Sequence, residues 1–107
     1  MKLTVLERLM CQGLLPQETN FTTLKLMRVA RENLSFTNEE VKTLNFKVSD
    51  GKTQWNPVAD REVGEVEIEL GEVATEEIKK ALKKLNEENK LTNDHFSLYE
   101  KFVEGGN

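Results

Sequence analysis

Val63-Gly64-Glu65-Val66-Glu67-Ile68-Glu69-Leu70 is the stretch that decides how this chain is read. Val66, Ile68 and Leu70 alternate with Glu65, Glu67 and Glu69, the period-two pattern of a strand with one apolar and one acidic face. The pattern predicts a strand over 63–70. Its glutamates would stand about 7 Å apart along one face. Such spacing can suit a glycosidase carboxylate pair or a hard cation. Three neighbouring like charges on an open face instead stay ionised and hydrated, and they discourage edge-to-edge pairing of strands.

Partners for this strand are sought upstream. Leu44, Phe46 and Val48 alternate with Asn45 and Lys47, and Asp50-Gly51 is a two-residue turn that favours a tight hairpin. A turn centred there sets Val48 opposite Thr53 and Phe46 opposite Trp55. Trp55 then reads as a sheet residue or as a stacking platform for a ligand. Pro57 ends the second strand, and 57–62 reads as a loop. The hairpin over 44–56 and the strand over 63–70 are expected to form one small three-stranded antiparallel sheet.

Helices precede and follow the sheet along the chain and are expected to pack on one of its faces. Thr4 and Glu7 make a capping box, so a first helix is predicted over 4–12, with Val5, Leu6, Leu9 and Met10 on its apolar face. Gly13 is placed just past its end, and Pro16 keeps it from resuming. A second helix is predicted over 20–33, capped by Thr19 or Asn20, with Phe21, Leu24, Met27, Val29, Ala30 and Leu34 on its apolar side. Thr37 and Glu40 repeat the capping box, with Phe36 and Val41 as a hydrophobic staple, ahead of a short helix over 38–44. Three short helices could hold a helix-turn-helix unit, but the sharp glycine turn between the last two is missing.

Downstream, Thr75 reads as the cap of a fourth helix. Glu76 and Glu77 precede Lys79, Lys80, Lys83 and Lys84, the charge order the helix dipole favours. Thr92 opens a fifth helix, whose aromatic stripe of Phe96, Tyr99, Phe102 and Val103 ends at Gly105-Gly106-Asn107. The expected fold class is α+β, a single domain over 1–107: three N-terminal helices, the three-stranded sheet and a C-terminal helical hairpin. Phe46, Val48, Trp55, Val66, Ile68 and Leu70 are expected to meet Leu9, Leu24, Leu82, Phe96 and Phe102 in one core.

Composition narrows the function classes. The chain has 107 residues, 32% charged and 37% hydrophobic, as in a water-soluble globular domain. No apolar run approaches the roughly 18–20 residues of a membrane span, and the N-terminus does not read as a signal peptide. The lone Cys11 cannot form an internal disulfide and fits a reducing cytosol. His95 is the only histidine, and there is no glycine-rich phosphate loop, zinc-protease motif or nucleophile elbow. No catalytic, cofactor-binding or metal-binding residue is assigned, and the chain is expected not to be an enzyme.

The net charge of −4 is unevenly spread, +2 over 1–48 and −6 over 49–107. Lys25, Arg28 and Arg31 recur every three residues in the basic half. They read as a solvated face, or as a strip that binds nucleic acid, a nucleotide or an acidic partner. Tyr99 and Phe102, with the acidic Glu65, Glu67 and Glu69, read as internal packing and a solvated face, or as a protein-interaction surface.

Two stretches carry a resemblance. One is Glu7-Arg8-Leu9-Met10-Cys11-Gln12-Gly13-Leu14-Leu15-Pro16 followed by Asn20-Phe21-Thr22-Thr23-Leu24. The other runs from Glu67 through the lysine-rich helix to Leu98-Tyr99-Glu100-Lys101-Phe102-Val103. In these the sequence resembles a group of small, uncharacterised proteins encoded by bacteriophages and prophages. The resemblance implies a bacterial-cytoplasmic setting and a phage or prophage source, and it carries over no site residues. Short phage proteins are often interaction modules, so a protein partner or a homo-oligomer is expected. The alternatives are a nucleic-acid- or nucleotide-binding protein and a virion or assembly component.

Overall fold

The computed structural model describes residues 1–105. Gly106 and Asn107, part of the stretch at which the aromatic stripe is expected to end, lie outside the described residues. The fold is mixed helix and sheet.

The N-terminal helices start at their predicted caps. Thr4 Oγ1 accepts from the Glu7 N–H while Glu7 Oε1 accepts from the Thr4 N–H, opening α1 (Val5–Leu14). Asn20 accepts from the Thr23 N–H and opens α2 (Phe21–Leu34). Thr37 and Glu40 repeat the reciprocal box at α3 (Asn38–Leu44). Gly13 does not end α1 but lies within its last turn. The stop comes from Pro16, which forces Leu15 into extended backbone (φ −70°, ψ 137°) while the Leu15 side chain is buried.

The hairpin keeps its predicted register. β2 (Lys47–Ser49) pairs with β3 (Lys52–Gln54), Val48 opposite Thr53. Asp50 (φ 51°) and Gly51 (φ 75°) supply the left-handed pair that a two-residue turn requires. Phe46 and Trp55 meet edge to face, ring centroids 5.9 Å apart.

The three-stranded sheet does not form among the described residues. Residues after Pro57 are helical rather than a loop: α4 (Pro57–Val63) is capped by Asn56 Oδ1, which accepts from the Val58 and Ala59 N–H groups. Pro57 sits at the first helical position, where its missing N–H costs nothing. Gly64 (φ 59°) turns the chain out of α4. β4 (Val66–Glu67) is then only two residues long and pairs antiparallel with β1 (Lys2–Leu3). The result is two separate two-stranded sheets. Every residue of β2 and β3 is exposed, so the hairpin offers no buried face on which the 63–70 segment could place Val66, Ile68 and Leu70. Leu3, fully buried beside Val66, does.

The C-terminal helical segments have shifted boundaries, and the expected fifth helix is broken into three short pieces. α5 (Glu72–Glu87) begins after Gly71 (φ 82°), three residues before Thr75. Thr75 is therefore not the cap; its hydroxyl donates to the Gly71 carbonyl within the first turn. Thr92 caps a 3₁₀ turn (Asn93–His95), where His95 Nδ1 accepts from the Thr92 N–H. The chain continues as α6 (Phe96–Tyr99) and a wide π-type turn (Glu100–Glu104).

The core is divided in two. Leu3, Leu15, Met27, Leu34, Ile68, Ile78, Leu82, Leu98 and Phe102 belong to one cluster under α1, α2, α5 and α6. Val5, Leu44 and Ala59 form a second, packed by Leu9, Phe36, Phe46, Trp55 and Val63. The hairpin aromatics therefore do not meet Leu82 and Phe102, and Val48 and Phe96 are exposed rather than buried. Among the described residues no helix is long and apolar enough to cross a membrane.

Candidate interaction surface

Two consecutive charges of α1 are buried to 2% exposure each, Glu7 and Arg8. Burial alone pushes the Glu7 carboxyl up. Hydrogen bonds from Lys101 Nζ (2.7 Å), the Thr4 N–H (2.9 Å) and the Ser97 hydroxyl (2.7 Å) outweigh it and hold the group below the usual carboxylate range. Lys101 also donates to Glu65 Oε2 (2.5 Å) and to the Lys2 carbonyl (3.0 Å). Partial burial works against its charge, but Glu65 and Glu7 raise its pKa above the ordinary lysine value.

Arg8 points the other way. Its Nη1 and Nη2 donate to the two Glu40 oxygens (2.7 and 3.2 Å), Nη2 also to the Ser35 carbonyl (2.7 Å) and Nε to the Leu34 carbonyl (3.4 Å). The guanidinium carbon sits 4.0 Å from the centre of the Phe36 ring. The bonds from Arg8 lower the Glu40 pKa. No buried side-chain polar atom lacks a partner among the described residues.

The acidic row is split by its partners. Glu65 is held by Lys101, and Glu67 lies 2.6 Å from the Met1 amino group. Glu69 is exposed, and its carbonyl accepts from Asn33 Nδ2 at 2.9 Å. The aromatic stripe is split as well. Phe102 is fully buried and so does not present an exposed surface, while Tyr99 is half-buried, with its hydroxyl 3.4 Å from Asn86 Nδ2.

The basic row divides in the same way. Arg31 donates to the Leu15 and Pro16 carbonyls (3.3 and 3.1 Å) and fastens α2 to the end of α1. Lys25 and Arg28 are exposed, with Lys25 Nζ 5.2 Å from the centre of the Phe21 ring. Phe21, Leu24, Lys25, Arg28 and Arg31 line a surface depression of about 350 Å³. Glu32 follows Arg28 at i+4 on the same exposed side and interrupts the row.

The opposite flank of α2 carries an exposed strip; the sequence set Val29 on the apolar side of the helix, but it faces solvent, and Leu26 was not marked at all. Leu26 and Val29 remain 43% and 53% exposed, and across from them Val73 at the start of α5 is 40% exposed. With Asn33, Leu70 and Ala74 they line a groove of about 410 Å³ whose rim includes Glu69 and Glu72. Leu26 and Val29 are one helical turn apart but lie off the Met27–Ala30–Leu34 line that faces the core. Apolar residues beyond the width of the buried stripe were the available signal. For Arg8 the signal was its place between Val5 and Cys11 on the buried line of α1. For Lys101 there was none, since its partner Glu7 is 94 residues away.

Among the described residues no group of three or more His, Cys, Asp or Glu side chains is placed to hold a metal ion. No family model, curated protein or solved structure matches this chain.

Proposed function

We propose that this chain is a phage- or prophage-encoded, non-enzymatic interaction protein that works by protein–protein contact in the bacterial cytoplasm. The observation that carries the reading is the strip formed by Leu26, Val29 and Val73 over a groove with an acidic rim. A contiguous apolar patch edged by polar residues marks a docking surface, and water against it is released on binding. The chain's most buried charges, by contrast, are engaged in bonds that hold its elements together.

The test is site-specific photocrosslinking in bacterial cells. A photoreactive side chain at Val29 should give one defined protein adduct, and the same group at exposed Lys84 on α5 should not. Val29→Glu should abolish a second-site adduct made from Val73. Equal labelling from both faces, or no adduct from Val29, would sink the reading.

A second reading is favoured by the depression that gathers Lys25 and Arg28 beside the exposed ring of Phe21. Cations next to an aromatic face suit single-stranded nucleic acid or a nucleotide. It predicts salt-sensitive binding that Arg28→Ala weakens. No shift with DNA or RNA at low salt would remove it. A virion or assembly role is a special case of protein contact, checked by looking for the protein in purified particles.

A further inference from the structure

We infer that the strip on α2 is the contact face of a homodimer, in which the α2 helices of two copies lie side by side in parallel. The inference rests on the protein-contact reading above and names the occupant of that surface.

Apolar and charged groups follow a fixed order across the exposed side of the molecule. Successive helical residues are about 100° apart, so Lys25 lies to one side of Leu26 and Arg28 to the same side of Val29. Glu69 and Glu72 line the other side of the groove. The surface therefore runs from a flank with two exposed cations, Lys25 and Arg28, and one carboxylate, Glu32, through an apolar strip, to the carboxylates Glu69 and Glu72. A surface with opposite charges on its two flanks is complementary to itself.

The charges also choose the symmetry. In a two-fold interface each patch meets its own copy. If the axis crosses the strip, the helices run antiparallel and cations face cations. If the axis runs along the strip, the helices run parallel, and each cationic flank faces the other copy's acidic flank. The second arrangement places Lys25 and Arg28 of each copy beside Glu69 and Glu72 of the other. This is the logic by which flanking charges fix the orientation of paired helices. Leu26 and Val29 lie on the axis and meet their own counterparts.

Sedimentation and native mass spectrometry of the full chain should give twice 12.3 kDa. Val29→Glu should return it to one copy with unchanged circular dichroism, because Val29 is exposed. Under mild oxidation Val29→Cys should link to itself, and so should Leu26→Cys; the buried native thiol does not compete. The double variant Lys25→Glu/Arg28→Glu should weaken association by about tenfold. Adding Glu69→Lys/Glu72→Lys should restore it. A mixed Leu26→Cys/Val29→Cys link that outpaces both self-links would overturn the parallel arrangement. A monomer at millimolar concentration would overturn the dimer. In that case a photo-adduct from Val29 to a different protein leaves the protein-contact reading standing, whereas no adduct removes both.

Discussion

The cluster under α1, α2, α5 and α6 and the cluster under α3, the hairpin and α4 bury side chains on different scales. Among the described residues the first holds thirteen buried side chains and the second three. The first is nearly all aliphatic, closed by Phe102. The second relies on half-buried rings, Phe36 against Phe46 at 5.0 Å and Phe46 against Trp55. Its hairpin projects with both faces in solvent, and an isolated two-stranded hairpin is at best marginally stable. Arg8 joins the two regions: it leaves α1, bonds the last carbonyls of α2 and pairs with Glu40 of α3 over the ring of Phe36. Val5 and Leu9 of α1 also reach into the smaller cluster, so apolar contact along α1 and a charge-assisted bracket together hold it to the larger one.

The larger cluster is the more costly one to disturb. Phe102→Ala should cost about 3–5 kcal/mol, because a buried ring is lost and a cavity is left. Urea unfolding followed by far-ultraviolet circular dichroism and by Trp55 fluorescence should shift together. A loss under about 1 kcal/mol would mean that the terminal segment does not belong to the main core.

Arg8→Met should cost about 3 kcal/mol, since Glu40 and two carbonyls lose their donor. It should also separate the two regions, so that the Trp55 signal melts before the helical one. Coincident transitions in this variant would show that the bracket does not couple them.

A smaller effect comes from pH, because protonation leaves the side chains in place. Glu7 and Glu40 titrate below their ordinary 4.5 in the folded chain. Their contribution is complete above 4.5 and is lost as pH falls through the lowered folded values. Lys101 titrates above its ordinary 10.5, so its contribution is complete below 10.5 and is lost as pH rises through the raised value. Urea midpoints should be flat between these limits with respect to all three groups. Glu7→Gln should lower the plateau and flatten the acid edge; an unchanged acid edge would remove Glu7 from the account.

Gly51→Ala is the mildest test. It forces a side chain into left-handed backbone at a cost of about 1–2 kcal/mol. Only hairpin amides should exchange faster, with those of α5 unchanged, if the smaller region opens by itself.

Local signals of this fold were legible, and long-range ones were not. Thr4, Asn20 and Thr37 cap their helices because capping is settled within four residues. The hairpin register followed from Asp50-Gly51 for the same reason. The 63–70 alternation correctly set Ile68 and Leu70 inward, but period two gives a face, not a partner. Its partner was β1, more than sixty residues upstream, where Lys2-Leu3 is too short to show any period. Asn56-Pro57 was a cap followed by a first-turn proline, a helix start read as a strand end. At the surface, the sequence marked Lys25, Arg28 and Arg31 by their spacing but could not tell that Arg31 is engaged by carbonyls. It missed Leu26, which lines one groove with the first turn of α5 although about forty-five residues separate them in the chain.

Cys11 gives the molecule a built-in clock. It is the only thiol, it is sealed in the larger cluster, and burial pushes its pKa up to about 12. Only the thiolate attacks a soluble disulfide reagent, so labelling waits for a moment when α1 parts from its neighbours. The hairpin can come and go without advancing that clock. One reagent and one absorbance trace then time the opening of the main core in the unmodified chain, and mass spectrometry of the labelled fraction counts how many molecules have opened.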